Sequence, residues 1–142
     1  MKTVLAFGAF DILHPGHLLY LERARRLGER LVVIVARDES VKLLKRKKPV
    51  FGEQDRLRMV ASLRVVDKAV LGQKLGKPSD RYRIIGRYKP GVVAFGYDQK
   101  INVGELEEWM ARKGISARVV RIGARMNPKK YKSSKIRQSL GL

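Results

Sequence analysis

Residues 8 to 17 have the sequence Gly-Ala-Phe-Asp-Ile-Leu-His-Pro-Gly-His and follow an apolar run from Thr3 to Phe7. That run is short and ends in glycine, which predicts a fully buried strand. From His17 onward, leucine and alanine recur at helical spacing among charged residues, and Gly28 is expected to close the helix. Residues 8 to 17 therefore join a buried strand to an amphipathic helix, the first unit of an α/β fold.

The same alternation of strands and helices continues to the end of the chain. Four more strands are predicted at residues 31–36, 67–71, 92–95 and 117–122. Helices are predicted after Asp38, which is expected to cap the first of them, then from Gly52, at 82–88 and 104–113, and from Ser133 and Ser134 to Leu140. This pattern predicts an α/β fold: a single Rossmann-like three-layer domain over residues 1–142, with a five-stranded parallel sheet between helices.

The composition narrows the classes of function. The chain of 142 residues carries 32 Lys and Arg against 13 Asp and Glu, a net charge of +19, so it should attract nucleotides, phosphorylated metabolites or nucleic acid. It has no cysteine, which excludes disulfides, zinc–thiolate sites and cysteine nucleophiles and fits a reducing compartment. No stretch approaches the ~20 apolar residues of a membrane span. We therefore expect a soluble, cytoplasmic protein without a membrane partner.

The polar residues gather where strands end. In an open parallel sheet, ligands bind outside the carboxyl ends of the strands, at the point where strand order reverses. The residues that follow the predicted strands are Gly8, Ala9, Phe10, Asp11, His14 and His17 after the first, Arg37 and Asp38 after the second, Gly96, Tyr97, Asp98 and Gln99 after the fourth, and a basic tail with Ser133 and Ser134 after the fifth. One edge of the sheet is therefore the expected site.

The two histidines, His14 and His17, are the only ones in the chain and flank a Pro-Gly turn at a helix start. The unpaired N–H groups and the positive dipole end of a helix start suit a phosphate. Two imidazoles there could donate hydrogen bonds to a triphosphate. The pattern alone also fits ordinary capping or surface histidines, or a metal-binding pair, although no third ligand is evident.

The order strand, Gly-x-Phe-Asp-x-x-His-x-Gly-His, helix is the nucleotide-binding motif of the cytidylyltransferase-like nucleotidyltransferases, and this sequence resembles that family in every element of the motif. The segment from Tyr131 to Arg137, Tyr-Lys-Ser-Ser-Lys-Ile-Arg, is similar to the loop that ends the family's domain. The resemblance covers nearly the whole chain. It implies transfer of a nucleotidyl group to a phosphorylated acceptor.

Within the family, the sequence is most similar to the archaeal-type FAD synthases, at residues 33–39, 48–49, 56, 66–72 and 96–99. This similarity implies transfer of the AMP moiety of ATP to the phosphate of FMN, giving FAD and pyrophosphate. A glycerol-3-phosphate cytidylyltransferase, or a related CTP-dependent enzyme with a small acceptor, is the alternative. Residues 125–130, Arg-Met-Asn-Pro-Lys-Lys, differ from the Arg-Thr-Glu-Gly typical of that alternative. A basic RNA- or DNA-binding module ranks third, because no recognised binding motif is present.

The resemblance implies roles for particular residues. His14, His17, Lys48 and Ser134 are the expected catalytic residues, with the histidines stabilising charge at the α-phosphorus. Contacts to the nucleotide are expected from Gly8, Ala9, Phe10, Asp11, Gly96, Asp98, Gln99, Arg125 (or Lys129), Ser133, Ser134 and Arg137. Asp11 would orient the acceptor phosphate or help to hold Mg²⁺, but it could equally cap a helix. Lys47 or Lys48, in a basic loop at residues 45–48, would neutralise phosphates or simply form a solvated charge run.

The mechanism implied by the resemblance needs no nucleophilic side chain. The phosphate of FMN would attack the α-phosphorus of ATP in line, with Mg²⁺ or another divalent cation bound with the nucleotide and no dedicated protein metal site. The flavin ring would need an apolar shelf, for which the candidates are Phe51, Tyr82, Tyr88 and Trp109. The sequence does not decide between ATP and CTP. It also leaves the oligomeric state open, with a homodimer as one candidate.

Overall fold

Apolar runs and amphipathic segments alternate through residues 1–74 and 82–123, which are the residues that this computed structural model describes. The elements are β1 (Thr3–Gly8), α1 (Pro15–Arg25), β2 (Arg30–Val35), α2 (Asp38–Lys45), α3 (Glu53–Ala61), β3 (Lys68–Leu71), α4 (Arg83–Tyr88), β4 (Val92–Gly96), α5 (Val103–Arg112) and β5 (Arg118–Ile122). Every strand lies within two residues of its predicted bounds. The predicted helix from Ser133 to Leu140 lies outside the described residues.

All five strands are parallel and lie in one sheet, in the order β3-β2-β1-β4-β5. The chain therefore adds strands to one side of β1 and then crosses to the other side, so that the switch point lies between β1 and β4. The prediction of a five-stranded parallel sheet in a Rossmann-like three-layer domain is confirmed. The extent of that domain to residue 142 stays a prediction.

Successive residues of the central strands face opposite layers. Val4 and Ala6 of β1 pack with α1 and α3, together with Tyr20, Leu21, Ala24 and Val60 of those helices. Leu5 faces the other layer, where the buried residues of α4 and α5 are Ile84, Ile85, Leu106, Trp109 and Met110. Because the central strands are buried on both faces, they form continuous apolar runs, as a parallel sheet requires.

The first helix differs from its prediction at both ends. It begins at Pro15 with His14 as N-cap, and its C-cap is Arg26 in an ordinary helical conformation, so Gly28 does not close it. A Cβ at position 28 would lie 2.7 Å from the carbonyl oxygen of Lys2 and 2.8 Å from the Val4 side chain. Gly28 is therefore required by the close approach of the chain to the start of β1, and not by a helix cap.

The prediction that Asp38 caps the second helix is wrong. The N-cap of α2 is Arg37, which makes no side-chain cap hydrogen bond, and Asp38 is the first helical residue. Its backbone N–H donates to Oε1 of Glu53 at 2.9 Å, so a carboxylate from α3 caps α2 from a distance. The described helices include none that is long and apolar enough to cross a membrane.

Candidate active site at the carboxyl edge of the sheet

The two central strands separate at the switch point. Pairing of β1 with β4 extends from Val4–Val92 to Ala6–Ala94, whereas β1 stays paired with β2 as far as Gly8–Val35. The last residues of β1 and β4 are thus not bonded to each other directly. The resulting crevice is the place where an open α/β sheet binds its ligand.

Two side chains are inserted where the ladder between β1 and β4 stops. The hydroxyl of Tyr20, on α1, accepts from the Phe7 N–H at 3.2 Å and donates to the Ala94 carbonyl at 2.8 Å. The amide of Gln99 donates to the Phe7 carbonyl at 2.7 Å and accepts from the Gly96 N–H at 2.6 Å. These four backbone groups would bond in pairs in a continuous parallel ladder. Tyr20 and Gln99 therefore satisfy them while the strands stand apart.

The turn after β4 is held from the neighbouring strand. One guanidinium nitrogen of Arg121, on β5, donates to the carbonyl of Gly96 at 3.1 Å and of Gln99 at 2.6 Å. Asp98 is exposed on this turn, and its charge acts on His14 across the crevice. The structure thus brings the predicted residues Gly96, Asp98 and Gln99 to the same edge as the histidines. The Gln99 amide, however, is committed to backbone partners, and so positions the strands.

The turn after β1 contains a strained residue. Phe10 has φ 53°, in the left-handed region that non-glycine residues rarely adopt. Its ring folds under Gly8, where a Cβ would lie 2.6 Å from the ring, and only 2% of Phe10 is exposed. The ring meets that of His17 edge-on at a centroid distance of 5.4 Å. Gly8, Ala9 and Phe10 were predicted to contact the nucleotide. Because the Phe10 ring is buried, only the backbone of that residue can do so.

His14 and His17 cap the first helix together. Nδ1 of His14 accepts from the Gly16 N–H at 3.1 Å, and Nδ1 of His17 accepts from the His14 N–H at 3.3 Å. The rings stack at a centroid distance of 3.8 Å with 25° between their planes. Because Nδ1 is the acceptor in both rings, a neutral imidazole at either position carries its proton on Nε2. The capping interpretation is thus correct, and it leaves each ring with an N–H donor.

The environment keeps both imidazoles neutral. Burial lowers the pKa of His17 to about 3, with smaller contributions from the charges of His14 and Lys45. Burial also lowers the pKa of His14, against an opposing effect of the Asp98 carboxylate. At neutral pH the pair therefore presents two uncharged donors beside the positive end of α1. Among the described residues no group of three His, Cys, Asp or Glu could hold a metal ion, so nothing there supports the metal-binding interpretation.

Asp11 connects this turn to the segment before α3. Its carboxylate accepts from the Val50 N–H and the Phe51 N–H, each at 2.9 Å, and only 5% of the residue is exposed. The alternative that Asp11 caps the first helix is wrong, because His14 occupies that position. Asp11 fixes residues 50 and 51 against the turn that carries the histidines.

Arg56 is a buried residue of the site whose role was not predicted from the sequence. Its side chain is fully buried on α3 and donates to the carbonyls of Phe51 at 2.9 Å, Ala9 at 2.8 Å and Ala36 at 2.7 Å. Its remaining nitrogen bonds to Asp38 at 2.7 Å. One guanidinium therefore joins the turns after β1 and β2 to the segment before α3. In the sequence, Arg56 lies four residues before the apolar Val60 and therefore on the same face of the helix, which was the available indication of its burial.

Arg37 and Glu53 extend the same network. Nε of Arg37 donates to the Gly72 carbonyl at 2.6 Å, and its Nη1 lies 3.3 Å from Glu53 Oε2. Arg37 thereby ties the end of β3 to α3. The predicted edge residues Arg37 and Asp38 thus hold the loops of the site in place.

The basic segment lies beside the histidines. Helix α2 ends at Lys45, and Arg46 is left-handed with φ 55°, so the predicted loop at residues 45–48 begins one residue later than expected. Residues 45 to 48 are all exposed, whereas Pro49 is buried. Lys45 is near enough to His17 for its charge to lower the pKa of that imidazole. The structure thus places the loop of Lys47 and Lys48 at the predicted edge.

Three of the four candidates for the flavin shelf lie elsewhere. Tyr82 and Trp109 are buried in the core, with ring centroids 5.7 Å apart. Tyr88 ends α4 and lies 5.5 Å from Nζ of Lys68, the first residue of β3, at the amino edge of the sheet. Phe51 is 39% exposed at the carboxyl edge. The predicted contacts Arg125, Lys129, Ser133, Ser134 and Arg137 lie outside the described residues.

A turn with two helix-capping imidazoles at the switch point of a parallel sheet defines a nucleotide-binding α/β domain. Residues 5–139 match the family model described as "Cytidylyltransferase-like". The chain belongs to the cytidylyltransferase-like family, as residues 8 to 17 predicted.

Several relatives in this family carry the name FAD synthase. One from Aciduliprofundum boonei is 48% identical over 122 residues, which cover 86% of this chain and 78% of the relative. One from Archaeoglobus profundus is 43% identical over 136 residues, covering 96% and 84%. Among solved structures, a lipopolysaccharide core biosynthesis protein from Thermoplasma volcanium is 40% identical with a TM-score of 0.80, over 89% of this chain and 99% of that one.

Proposed function

We propose that this protein is an FMN adenylyltransferase, which transfers the AMP moiety of ATP to the phosphate of FMN. The observation that carries the proposal is the stacked pair of neutral imidazoles at the start of α1, between the crevice and the basic segment. The name FAD synthase, shared by relatives 42–49% identical over most of the chain, supports FMN as the acceptor. It also agrees with the function inferred from the sequence.

The reaction needs positioned donors and no covalent intermediate. A phosphate oxygen of FMN attacks the α-phosphorus of ATP in line, the bond to the oxygen that bridges to the β-phosphorus breaks, and pyrophosphate leaves. Negative charge grows on the oxygens around the α-phosphorus during this exchange. Nε2–H groups of His14 and His17 donate to those oxygens, and the N-terminus of α1 adds its dipole. Neutral donors suit this task because a divalent cation that enters with the nucleotide would already neutralise part of the phosphate charge.

The nucleotide would lie in the crevice. The backbone of residues 8–10 would border its phosphates, and the turn with Gly96, Asp98 and Gln99 would border its ribose and base. Ser133, Ser134 and Arg137, with Arg125 or Lys129, would hold the β- and γ-phosphates. They follow β5, whose last residue Ile122 ends at this same edge. Lys48 or Lys47 would neutralise phosphate charge from the side of α2.

A divalent cation, Mg²⁺ in the simplest case, would enter with the triphosphate. Mg²⁺ is usually held by one or two carboxylates together with substrate phosphates. Asp98 is exposed at the crevice, whereas the Asp11 carboxylate already accepts two backbone N–H groups. Asp98 therefore fits as the protein ligand, and the ion would neutralise phosphate charge.

The decisive assay supplies ATP or CTP with FMN or glycerol 3-phosphate, each with Mg²⁺, and measures pyrophosphate and the nucleotide product. We expect FAD and an equal amount of pyrophosphate only with ATP and FMN. Turnover of CTP with glycerol 3-phosphate and no response to FMN would contradict the proposal. The cytoplasmic location and the homodimer remain predictions, which cell fractionation and sedimentation would test.

A further inference from the structure

We propose that Val50 and Phe51 form a shelf that binds the isoalloxazine ring of FMN, with the FMN phosphate reaching from it toward the histidines past the basic segment at residues 45–48. This subsite rests on the proposed function, because it names the place where the acceptor of that reaction binds. Phe51 was one of four aromatic candidates in the sequence: Tyr82 and Trp109 are buried in the core, Tyr88 lies at the amino edge, and Phe51 is exposed at the carboxyl edge.

The backbone under the shelf is fixed by three hydrogen bonds. Asp11 accepts from both N–H groups at 2.9 Å, and the Phe51 carbonyl accepts from the buried Arg56 at 2.9 Å. Pro49, immediately before the shelf, is buried. The main chain here is therefore held as firmly as in a regular element. A rigid surface binds a flat ring without the entropy cost of ordering a loop.

The side chains on this fixed backbone are apolar and exposed. Val50 is 40% exposed and Phe51 39%, and residues 45 to 48, which precede Pro49, are all lysine or arginine. An exposed apolar pair on firm backbone, with a basic run before it, can form one wall of a ligand subsite. The combination matches FMN, which has a flat aromatic ring at one end and a doubly charged phosphate at the other. Cations beside the shelf would attract the phosphate, and the shelf would take the ring.

The position of the shelf relative to the histidines separates the two substrates. The histidines follow β1, which lies between β4, followed by Asp98, and β2, followed by α2 with Lys45. In keeping with this order, the Asp98 carboxylate opposes the lowering of the His14 pKa by burial. The Lys45 ammonium instead adds to the lowering of the His17 pKa by burial. The imidazole pair thus lies between the β4 side, where we place ATP, and the α2 side, where Asp11 attaches the shelf. An acceptor on the shelf would approach the α-phosphorus without crossing the nucleotide.

The test is a titration of FMN and of riboflavin with the protein. Binding is measured as the quenching of flavin fluorescence. The variants are Phe51→Ala, Phe51→Trp and the matched control Tyr88→Leu, which alters an aromatic residue at the opposite edge. Phe51→Ala should lower the affinity for both flavins by roughly tenfold, as expected for loss of one stacking partner. Phe51→Trp should restore the affinity, Tyr88→Leu should keep it, and the KM for ATP should stay within about twofold in all three.

Unchanged flavin affinity in Phe51→Ala, with FAD still formed by the wild-type protein, would overturn the shelf and leave the proposed function intact. A wild-type protein that forms no FAD would overturn the function itself. Sedimentation of the same samples tests whether a second copy of this chain, and not FMN, packs on the shelf. If Phe51→Ala dissociates a dimer and leaves flavin binding unchanged, the shelf is a contact between copies and the proposal is wrong.

Discussion

The rings of His14 and His17 stack at 3.8 Å while each Nδ1 accepts a backbone N–H at the start of α1. The same two side chains therefore build the helix N-terminus and present donors from it. Stacking two imidazoles so closely is compatible only with low charge, which agrees with the lowered pKa values of both. Structural and chemical roles are thus carried by different nitrogens of one ring, and can be separated by substitution.

Substitution with asparagine and with glutamine should separate these roles at His17. The asparagine oxygen can replace Nδ1 as acceptor, but no donor then remains at the Nε2 position. We expect His17→Asn to stay folded and to lose roughly 100- to 1,000-fold in kcat, the usual effect of removing one donor to developing charge. His17→Gln should retain more activity and be the less stable of the two. Initial rates of FAD formation and urea unfolding would measure both.

The pH dependence of stability should carry the signature of the buried imidazoles. Burial lowers the pKa of His17 from 6.5 to about 3 and lowers that of His14 as well, whereas unfolding restores ordinary values. Between these limits the unfolded chain binds protons that the folded protein excludes, so the free energy of unfolding falls as the pH falls below 6.5. Roughly one pH unit above that value the unfolded imidazoles are neutral as well, and the contribution of the two residues to the pH dependence vanishes.

The expected slope from His17 approaches about 1.4 kcal/mol per pH unit. Urea unfolding of the wild-type protein and of His17→Asn at several values between pH 7 and pH 4 would measure it. The variant lacks one of the two titrating groups, and its stability should therefore fall less steeply. Parallel curves for the two proteins would show that His17 titrates normally in the folded state.

The sequence predicted the fold well because parallel strands and amphipathic helices have local signatures. Val4, Leu5 and Ala6 make both faces of their strand apolar, and such a run indicates a buried strand of a parallel sheet. The helix ends were predicted less well, since they depend on tertiary contacts. Asp38 is of a residue type preferred at the N-cap, yet Glu53, fifteen positions away, supplies the capping carboxylate.

The site was predicted where a motif exists and missed where the chemistry is long-range. His14 and His17 are recognisable from their turn. Arg56, Tyr20 and Arg121 are not, because their partners are backbone groups that distant segments bring to them. Gln99 was identified correctly as an edge residue, but its amide bonds to backbone in two strands, which no local pattern could indicate.

Arg56 should be the most sensitive basic residue for stability. Arg56→Met would leave the Asp38 carboxylate and three carbonyls without their partner, at a cost of about 3–5 kcal/mol. Arg56→Lys should recover only part of this, since one ammonium cannot reproduce the planar fork. Arg58→Met is the matched control, an exposed arginine on the same helix, and should change stability by less than about 0.5 kcal/mol. Chemical denaturation of the three variants would rank them, and equal effects at positions 56 and 58 would contradict the assignment.

Tyr20 tests whether the separation of β1 and β4 matters for nucleotide binding. Its hydroxyl is the link between Phe7 and Ala94, so Tyr20→Phe leaves a buried N–H and a buried carbonyl unsatisfied and should cost about 1–3 kcal/mol. If the strands then pair directly, the crevice narrows, and the KM for ATP should rise more than the KM for FMN. Tyr88→Phe removes a hydroxyl at the opposite edge and should change neither constant. Initial rates with one substrate varied at a time would distinguish these cases. A purely structural role for the hydroxyl predicts lower stability with both KM values unchanged, because only a hydroxyl that shapes the crevice would affect ATP selectively.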